Sequence, residues 1–287
     1  MRSAPLVAAP PRVAPLLLSS FAPSVGIGET FLFSAADLRP RTIVPYWIDS
    51  IRMAVYATSG VPNGADMSWR GIAKWKFTLG RYVVTAGFVP MWNFCPVRQT
   101  ATEQGGYFHW VLPRPILCTP TLHLAAEMLV DGNSPNALSA YVAYAGRKLD
   151  CDAQIPPEQD VPFVSCWDTS DPLQSTGFDS PNTVLFNSTR KNLQIQRIVG
   201  RVQSNNSGTI TDGDDTTLVQ IFHHTGVEVT GGPVQHSDLF PPQLRAMPFA
   251  GILPPNQSVH VRLGTQPNGS TYEPMFSIIG VRKEMVL

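Results

Sequence analysis

The sequence predicts an all-β chain folded as two tandem β-sandwich domains, and three observations carry that prediction. Proline and glycine are scattered along the whole length, 27 and 22 of them in 287 residues, so the apolar runs are interrupted too often for long helices. Those runs are short, rich in Val and Ile, and several alternate with polar residues, the period of a strand with one buried face. The third observation is an internal repeat, in which one order of elements occurs twice.

The repeat opens with Leu32 and Phe33 in one unit and Leu185 and Phe186 in the other. Ile48, Ile51 and Val55 recur as Ile195, Ile198 and Val202 at the same spacing. Leu122, His123 and Leu124 answer Val259, His260 and Val261. Tyr141, Ala143, Tyr144, Arg147 and Lys148 answer Phe276, Ile278, Ile279, Arg282 and Lys283. Between these anchors lie two strand-like stretches with a central glycine, TLGRYVVTAGFVPMW and TTLVQIFHHTGVEVTGGPVQ. A unit of roughly 120–130 residues is an ordinary domain size.

This reading divides the chain into an extended N-terminal arm (1–28), a first β-sandwich (29–150), a connector (151–182) and a second β-sandwich (183–287). The connector follows from its acidic, Ser and Pro content. Pro5, Pro10, Pro11 and Pro15 cut the N-terminal apolar stretch too short for the core of a signal peptide. The arm is therefore expected to gain order only against another surface and to be dispensable for folding. Val259, Val261 and Leu263 share one face of a strand, whereas the run from Phe276 to Val281 is expected to be buried on both faces.

Charged residues make up only 15% of the chain, against about 25% in an average soluble protein. The 21 basic and 21 acidic residues cancel, so the basic excess of a protein that wraps nucleic acid is missing and no specific nucleic-acid partner is expected. Neutrality also removes the self-repulsion that keeps copies apart. No apolar run reaches the roughly 18 residues of a membrane-spanning helix.

The chemistry-bearing residues favour structural roles. Of the cysteines, Cys118 lies in an apolar strand and reads as core, and Cys95 joins no metal-binding pattern. Cys151 and Cys166 either pair as a disulfide or stay as thiols, and a chain this long needs no staple. His223 and His224 are adjacent, so on a strand they point to opposite faces and, with His236, make a poor metal site. Asp212, Asp214 and Asp215 surround a glycine in a turn that reads as a solvated hairpin or a calcium loop, although the full ligand pattern is missing. Glu127 and Asp131 are a nominal carboxylate pair, but follow a strand rather than line a cleft.

No nucleophile elbow or phosphate-cradling loop occurs, so the sequence points to no catalytic residue, no cofactor and no metal. Trp110 alternates with Phe108 and reads as a core or inter-sheet residue; Trp69 and Trp75 flank a segment that can be read as an exposed loop, yet burial of the tryptophans within the domain or between subunits is the favoured reading over a carbohydrate platform. The sequons at Asn187, Asn205, Asn256 and Asn268 read as turn chemistry.

The two-fold repeat, the all-β texture, the Pro-rich N-terminus and the low charge together resemble the double-jelly-roll major capsid proteins of tailless icosahedral viruses, many of them membrane-containing bacteriophages. The segment YFHWVLPRPILCTPTLHL, a strand, a Pro turn and an alternating strand, fits the later strands of a jelly roll. The resemblance implies two tandem jelly rolls, a non-enzymatic shell-building role in the virion after assembly in the host cytoplasm, and self-association as pseudo-hexameric trimers. It also implies contacts with lattice neighbours, with penton or minor capsid proteins, and with an internal membrane through the arm. The expectation from another class is a carbohydrate- or receptor-binding β-sandwich, a virion spike or lectin-like module, which requires exposed Trp or Tyr in a concave loop cluster.

Overall fold

The computed structural model describes residues 14–41, 44–57, 73–94, 106–132, 137–149, 155–168, 183–206, 209–212, 217–241, 246–265 and 271–286. Two β-sandwiches follow one another in the chain, and each is a jelly roll. In the first, β1 (Ala14–Val25), β9 (Leu138–Lys148), β3 (Tyr46–Ala57) and β7 (Gly106–Cys118) form one antiparallel sheet in the order β1-β9-β3-β7. β2 (Thr30–Leu32), β8 (Leu124–Val130), β4 (Ala73–Leu79) and β5 (Tyr82–Val83) form the opposing sheet, with β6 (Val89–Pro90) also on β4. The second sandwich repeats the order. β10 (Glu158–Asp168), β18 (Thr271–Met285), β12 (Leu193–Asn206) and β16 (Ala246–Leu253) are neighbours in one sheet, with β13 (Thr209–Asp212) also on β12. β11 (Thr183–Phe186), β17 (Ser258–Thr265), β14 (Thr217–Phe222) and β15 (Val234–Gln235) form the other. Taking strands alternately from the two sheets in this way is the jelly-roll connection.

Alternation fixes which face of each strand turns inward. In β4, Ala73, Trp75, Phe77 and Leu79 are buried while Lys74, Lys76 and Thr78 reach outward; in β8, Leu124, Ala126, Met128 and Val130 do the same. The first core is organised around aromatics. Phe33 stacks on Trp75 at 5.3 Å, and Phe77 and Phe94 contact Trp110 at 6.0 and 4.8 Å. Trp75 is core, as the burial expected of the tryptophans requires, and Ala73 and Lys74 of the segment before it are strand rather than loop: Trp75 occupies an inward position of an alternating strand. Trp69 lies outside the described residues. The second core gathers Phe163, Leu185, Ile198, Val219, Ile221, Phe240, Phe276 and Ile278.

The N-terminal arm and the connector both contain strands. Residues 14–25, expected within the arm, form β1 and pair with β9 from Ala14 opposite Lys148 to Val25 opposite Leu138. Leu16, Leu18, Ser20 and Ala22 are buried, so removing residues 1–28 deletes part of the first core rather than a loose tether. Residues 158–168, expected within the connector, form β10 on β18. The prolines that suggested irregular chain, Pro15 and Pro162, sit in strands at the ends of their sheets, where a missing N–H costs no ladder bond. Residues 1–13 lie outside the described residues.

The repeat is present, with one correction of register. β3 carries a bulge between Ile48 and Ser50, and β12 carries one between Ile195 and Arg197, so Ile48, Ile51 and Val55 correspond to Ile195, Ile198 and Val202 as their spacing predicts. Opposite Ile48 stands Gly146 and opposite Ile195 stands Gly280. Gly146 thus corresponds to Gly280 and Lys148 to Arg282, one residue away from the Arg-Lys match in the sequence. A slip of one residue exchanges the two faces of a strand, so the difference matters. Its cause is steric: a Cβ on Gly146 would lie 1.8 Å from the Trp47 carbonyl oxygen, and one on Gly280 2.5 Å from that of Gln194.

β18 is buried on both faces, as its unbroken apolar run predicts. Phe276 and Ile278 enter the second core while Ile279 enters the first. No helix among the described residues is long and apolar enough to cross a membrane.

Candidate interaction surfaces

The structure describes an extended junction between the two rolls. Its second-roll side is the outer face and free edge of the sheet containing β10, β12 and β18, from which Val161, Val164, Val199 and Ile279 are buried with the first core. Its first-roll side is the segment after β5 together with the end of β7. Val164 donates its N–H to the Val84 carbonyl at 2.8 Å and accepts from Ala86 N–H at 2.8 Å, so β10 continues its sheet onto the first roll. The Cys166 thiol donates to the Phe88 carbonyl at 3.7 Å. The Gln159 carboxamide accepts from Leu117 N–H at 2.8 Å and donates to Leu117 O at 3.0 Å, which satisfies one residue of the β7 edge.

Arg282 completes the junction. Its guanidinium donates to Glu284 Oε1 at 2.6 Å and to the Val83 carbonyl of the first roll, and it lies 5.2 Å over the Phe163 ring. Both charges are buried. Burial lowers the Arg282 pKa, and the bond to Glu284 opposes that shift.

The residues singled out for chemistry are dispersed and individually explained. Glu127 is paired with Lys76 at 3.0 Å and Asp131 with Lys74 at 2.7 Å across β4 and β8, so each carboxylate has its own cation. His223 and His224 lie in the turn just after β14 rather than within it, and their rings approach to 4.0 Å instead of opposing one another. His223 bonds Thr225 Oγ1 through Nδ1 at 3.1 Å, and burial together with His224 lowers its pKa. His236 is in the second core against Phe240 and Phe276. Among the described residues, no group of three His, Cys, Asp or Glu side chains is placed to hold a metal.

Cys118 is fully buried, and burial pushes its thiol up to about 12. Cys95 and Cys151 lie outside the described residues, as do Asp214 and Asp215; Asp212 ends β13.

Asn187 performs the turn chemistry read for its sequon, Oδ1 accepting from the N–H two residues on, and adds long-range bonds that the sequence did not reveal. It follows β11 and is fully buried, with Nδ2 donating to the carbonyls of Leu253 (2.9 Å), Lys191 (3.0 Å) and Pro254 (3.1 Å). Oδ1 accepts from Thr189 N–H at 3.0 Å and from its hydroxyl at 2.6 Å. The sequon is thus an internal clamp between β11 and the β16–β17 turn, with no room for a glycan. We expect Asn187→Ala to lose about 2–4 kcal/mol, since each net hydrogen bond contributes about 1 kcal/mol and the buried carbonyls left behind add a desolvation cost. Urea unfolding monitored by tryptophan fluorescence measures this loss.

The outer face of the first roll's β1-β9-β3-β7 sheet presents large apolar side chains to solvent. One register row reads Leu17, Ala145, Ser50 and Val111, and another includes Phe21, Tyr141 and Ala54. Leu17, Phe21 and Val111 are 62%, 56% and 60% exposed, which makes this an apolar face of the kind that marks an interface.

No protein-family model and no curated protein matches the chain. Among solved structures it is similar to the STIV major capsid protein, with a TM-score of 0.52 and 11% identity over 94% of this chain and 97% of that one. The fold is a double jelly roll. Two further similar structures are the major capsid protein P2 from bacteriophage PM2 (TM-score 0.49, 11% identity, 94% and 98% of the two chains) and the Faustovirus major capsid protein (TM-score 0.49, 6% identity, 100% and 93%).

Proposed function

We propose that the chain is a structural major capsid protein that self-assembles, as pseudo-hexagonal trimers, into the shell of an icosahedral virion, and that it is not an enzyme. The observation that carries this reading is the pair of jelly rolls in tandem, matching the STIV major capsid protein over nearly the full length of both chains. Supporting it are the neutral composition and the exposed Leu17, Phe21 and Val111 on the outer sheet of the first roll. A shell made of many copies needs only modest contacts, because the lattice multiplies them. The partners on this reading are further copies of the chain and other virion proteins. The carbohydrate-binding alternative loses its best described platforms, since Trp75 and Trp110 are core residues.

The test is the assembly state of the purified protein, by light scattering and then electron microscopy. Trimers or pseudo-hexagonal arrays are the expected result. A monomer that persists over a wide range of concentration and salt would overturn the reading.

A further inference from the structure

We propose that the first roll of one copy docks, through the β1 edge and its outer sheet face, on residues 227–233 in the second roll of a neighbouring copy, repeating the junction that joins the two rolls within the chain. This inference rests on the shell-building reading and names the surface that builds it.

The two rolls correspond residue by residue in register at both sides of the junction. On one side, Phe77 N–H donates to Thr85 Oγ1 at 2.9 Å, and Ile221 N–H donates to Thr230 Oγ1 at 3.3 Å. Val84 N–H donates to Phe77 O, and Val229 N–H donates to Ile221 O. Trp75 is opposite Val89 and Val219 is opposite Val234. Val84, Ala86 and Phe88 therefore correspond to Val229, Gly231 and Pro233, with Gly87 and Gly232 both at positive φ. On the other side, Leu16 is opposite Gly146 and Phe163 is opposite Gly280. Leu17, Ser19 and Lys148 therefore correspond to Val164, Cys166 and Arg282.

Within the chain this junction is closed, and at its two ends it is open. Val84 and Val164 are fully buried against each other, whereas their counterparts Val229 and Leu17 are 42% and 62% exposed, and the adjacent Val227 is 64% exposed. Among the described residues β1 pairs only with β9, so its other edge faces outward at Leu17, as that of β10 does at Val164. Transferring the junction between copies places Leu17 N–H on Val229 O and Gly231 N–H on Leu17 O. It places the Ser19 hydroxyl at the Pro233 carbonyl, where the Cys166 thiol meets Phe88 O inside the chain. It also brings Lys148 to Glu228, as Arg282 reaches Val83 O, and here the neighbour adds a carboxylate to the carbonyl. Glu228 is held in the turn by Gln220 at 2.7 Å, by Gly232 N–H and by Thr230.

The two surfaces differ, one at each end of the chain, so the contact is heterologous and joins copies head to tail until a ring closes. Strand-edge pairing supplies the backbone bonds and the exposed Leu17, Val227 and Val229 supply apolar burial.

The experiment uses the full chain with Leu17→Glu and Val229→Lys. Both sites are solvent-exposed in the single chain, so each variant is expected to melt like the parent while its concentration for half-assembly, by light scattering, rises more than about tenfold, equivalent to about 1.4 kcal/mol. A single chain carrying both substitutions then recovers assembly, because every head-to-tail junction, in a ring of any size, sets the introduced carboxylate against the introduced ammonium. Variants that melt like the parent and assemble like it would overturn the proposed surface and leave the shell reading standing. Impaired single variants that the doubly substituted chain does not rescue would overturn the head-to-tail pairing. A parent chain that never associates would overturn both readings.

Discussion

Replacing Arg282 with methionine is expected to destabilise the fold by about 3–5 kcal/mol, while replacing Arg282 and Glu284 together by apolar residues costs much less. The reason lies in where the charges sit. Arg282 and Glu284 have side chains only 2% and 10% exposed, and they are 2.6 Å apart. Removing one partner of a buried pair strands the other without water, whereas removing both relieves the desolvation that each imposes. Lys191, 3.4 Å from Glu284 and itself half in solvent, recovers part of the loss in the single variant. Arg282 also donates to Val83 O, so the single variant opens the junction between the rolls as well as the pair. Denaturant unfolding of the parent, the single variant and the double variant decides the matter. An Arg282→Met protein with the parent's midpoint would mean that this pair contributes nothing to the fold.

How much of this was legible in the sequence depends on the kind of signal. The all-β class and the repeat were readable because alternation and spacing are local: Ile48, Ile51 and Val55 keep their intervals in Ile195, Ile198 and Val202, bulge included. Cys118 and Trp110 were readable as core for the same reason. Two edge strands were not, because Pro15 and Pro162 look like breaks to a reading that has no way to know which strands lie at a sheet's end. Trp75 is buried, as the reading favoured for the tryptophans expects, but its place in a strand was not legible because its partners, Phe33 and Phe77, come from different parts of the chain. The register of the last strand in each roll was off by one because the Arg-Lys match is an identity of residue type that ignores environment: Arg147 is exposed and Arg282 is buried. The glycines that set the register are recognisable only once the facing carbonyl is placed.

The candidate surface was hidden more deeply. Nothing in Leu17 or Val229 as residues distinguishes them from Val164 or Val84. What distinguishes them is that one pair is covered within the chain and the other is not, and that contrast exists only in three dimensions. The low charge gave the general expectation of covered surface, without its location.

The glycines at the bulges lead to a graded expectation. Gly146→Ala would put a Cβ 1.8 Å from Trp47 O, 2.8 Å from Trp47 C and 3.0 Å from Ile48 Cα, all of them backbone atoms of the central strand β3. No rotamer change relieves such a contact, so β9 and β3 must move apart in a sheet whose ladder they share. We expect a loss of about 3 kcal/mol or more, at the upper end of what overpacking costs. Gly280→Ala meets Gln194 O at 2.5 Å, but its other close contacts are the Leu193 side chain, which can shift, so its loss is expected to be smaller. Gly132→Ala meets nothing within 4 Å and is expected to be close to neutral. The order Gly146, Gly280, Gly132 in denaturant midpoints tests both the bulge geometry and the register that equates the two rolls. A Gly146→Ala variant as stable as Gly132→Ala would mean that β3 and β9 do not meet at this register, and the correspondence of Lys148 with Arg282 would fall with it.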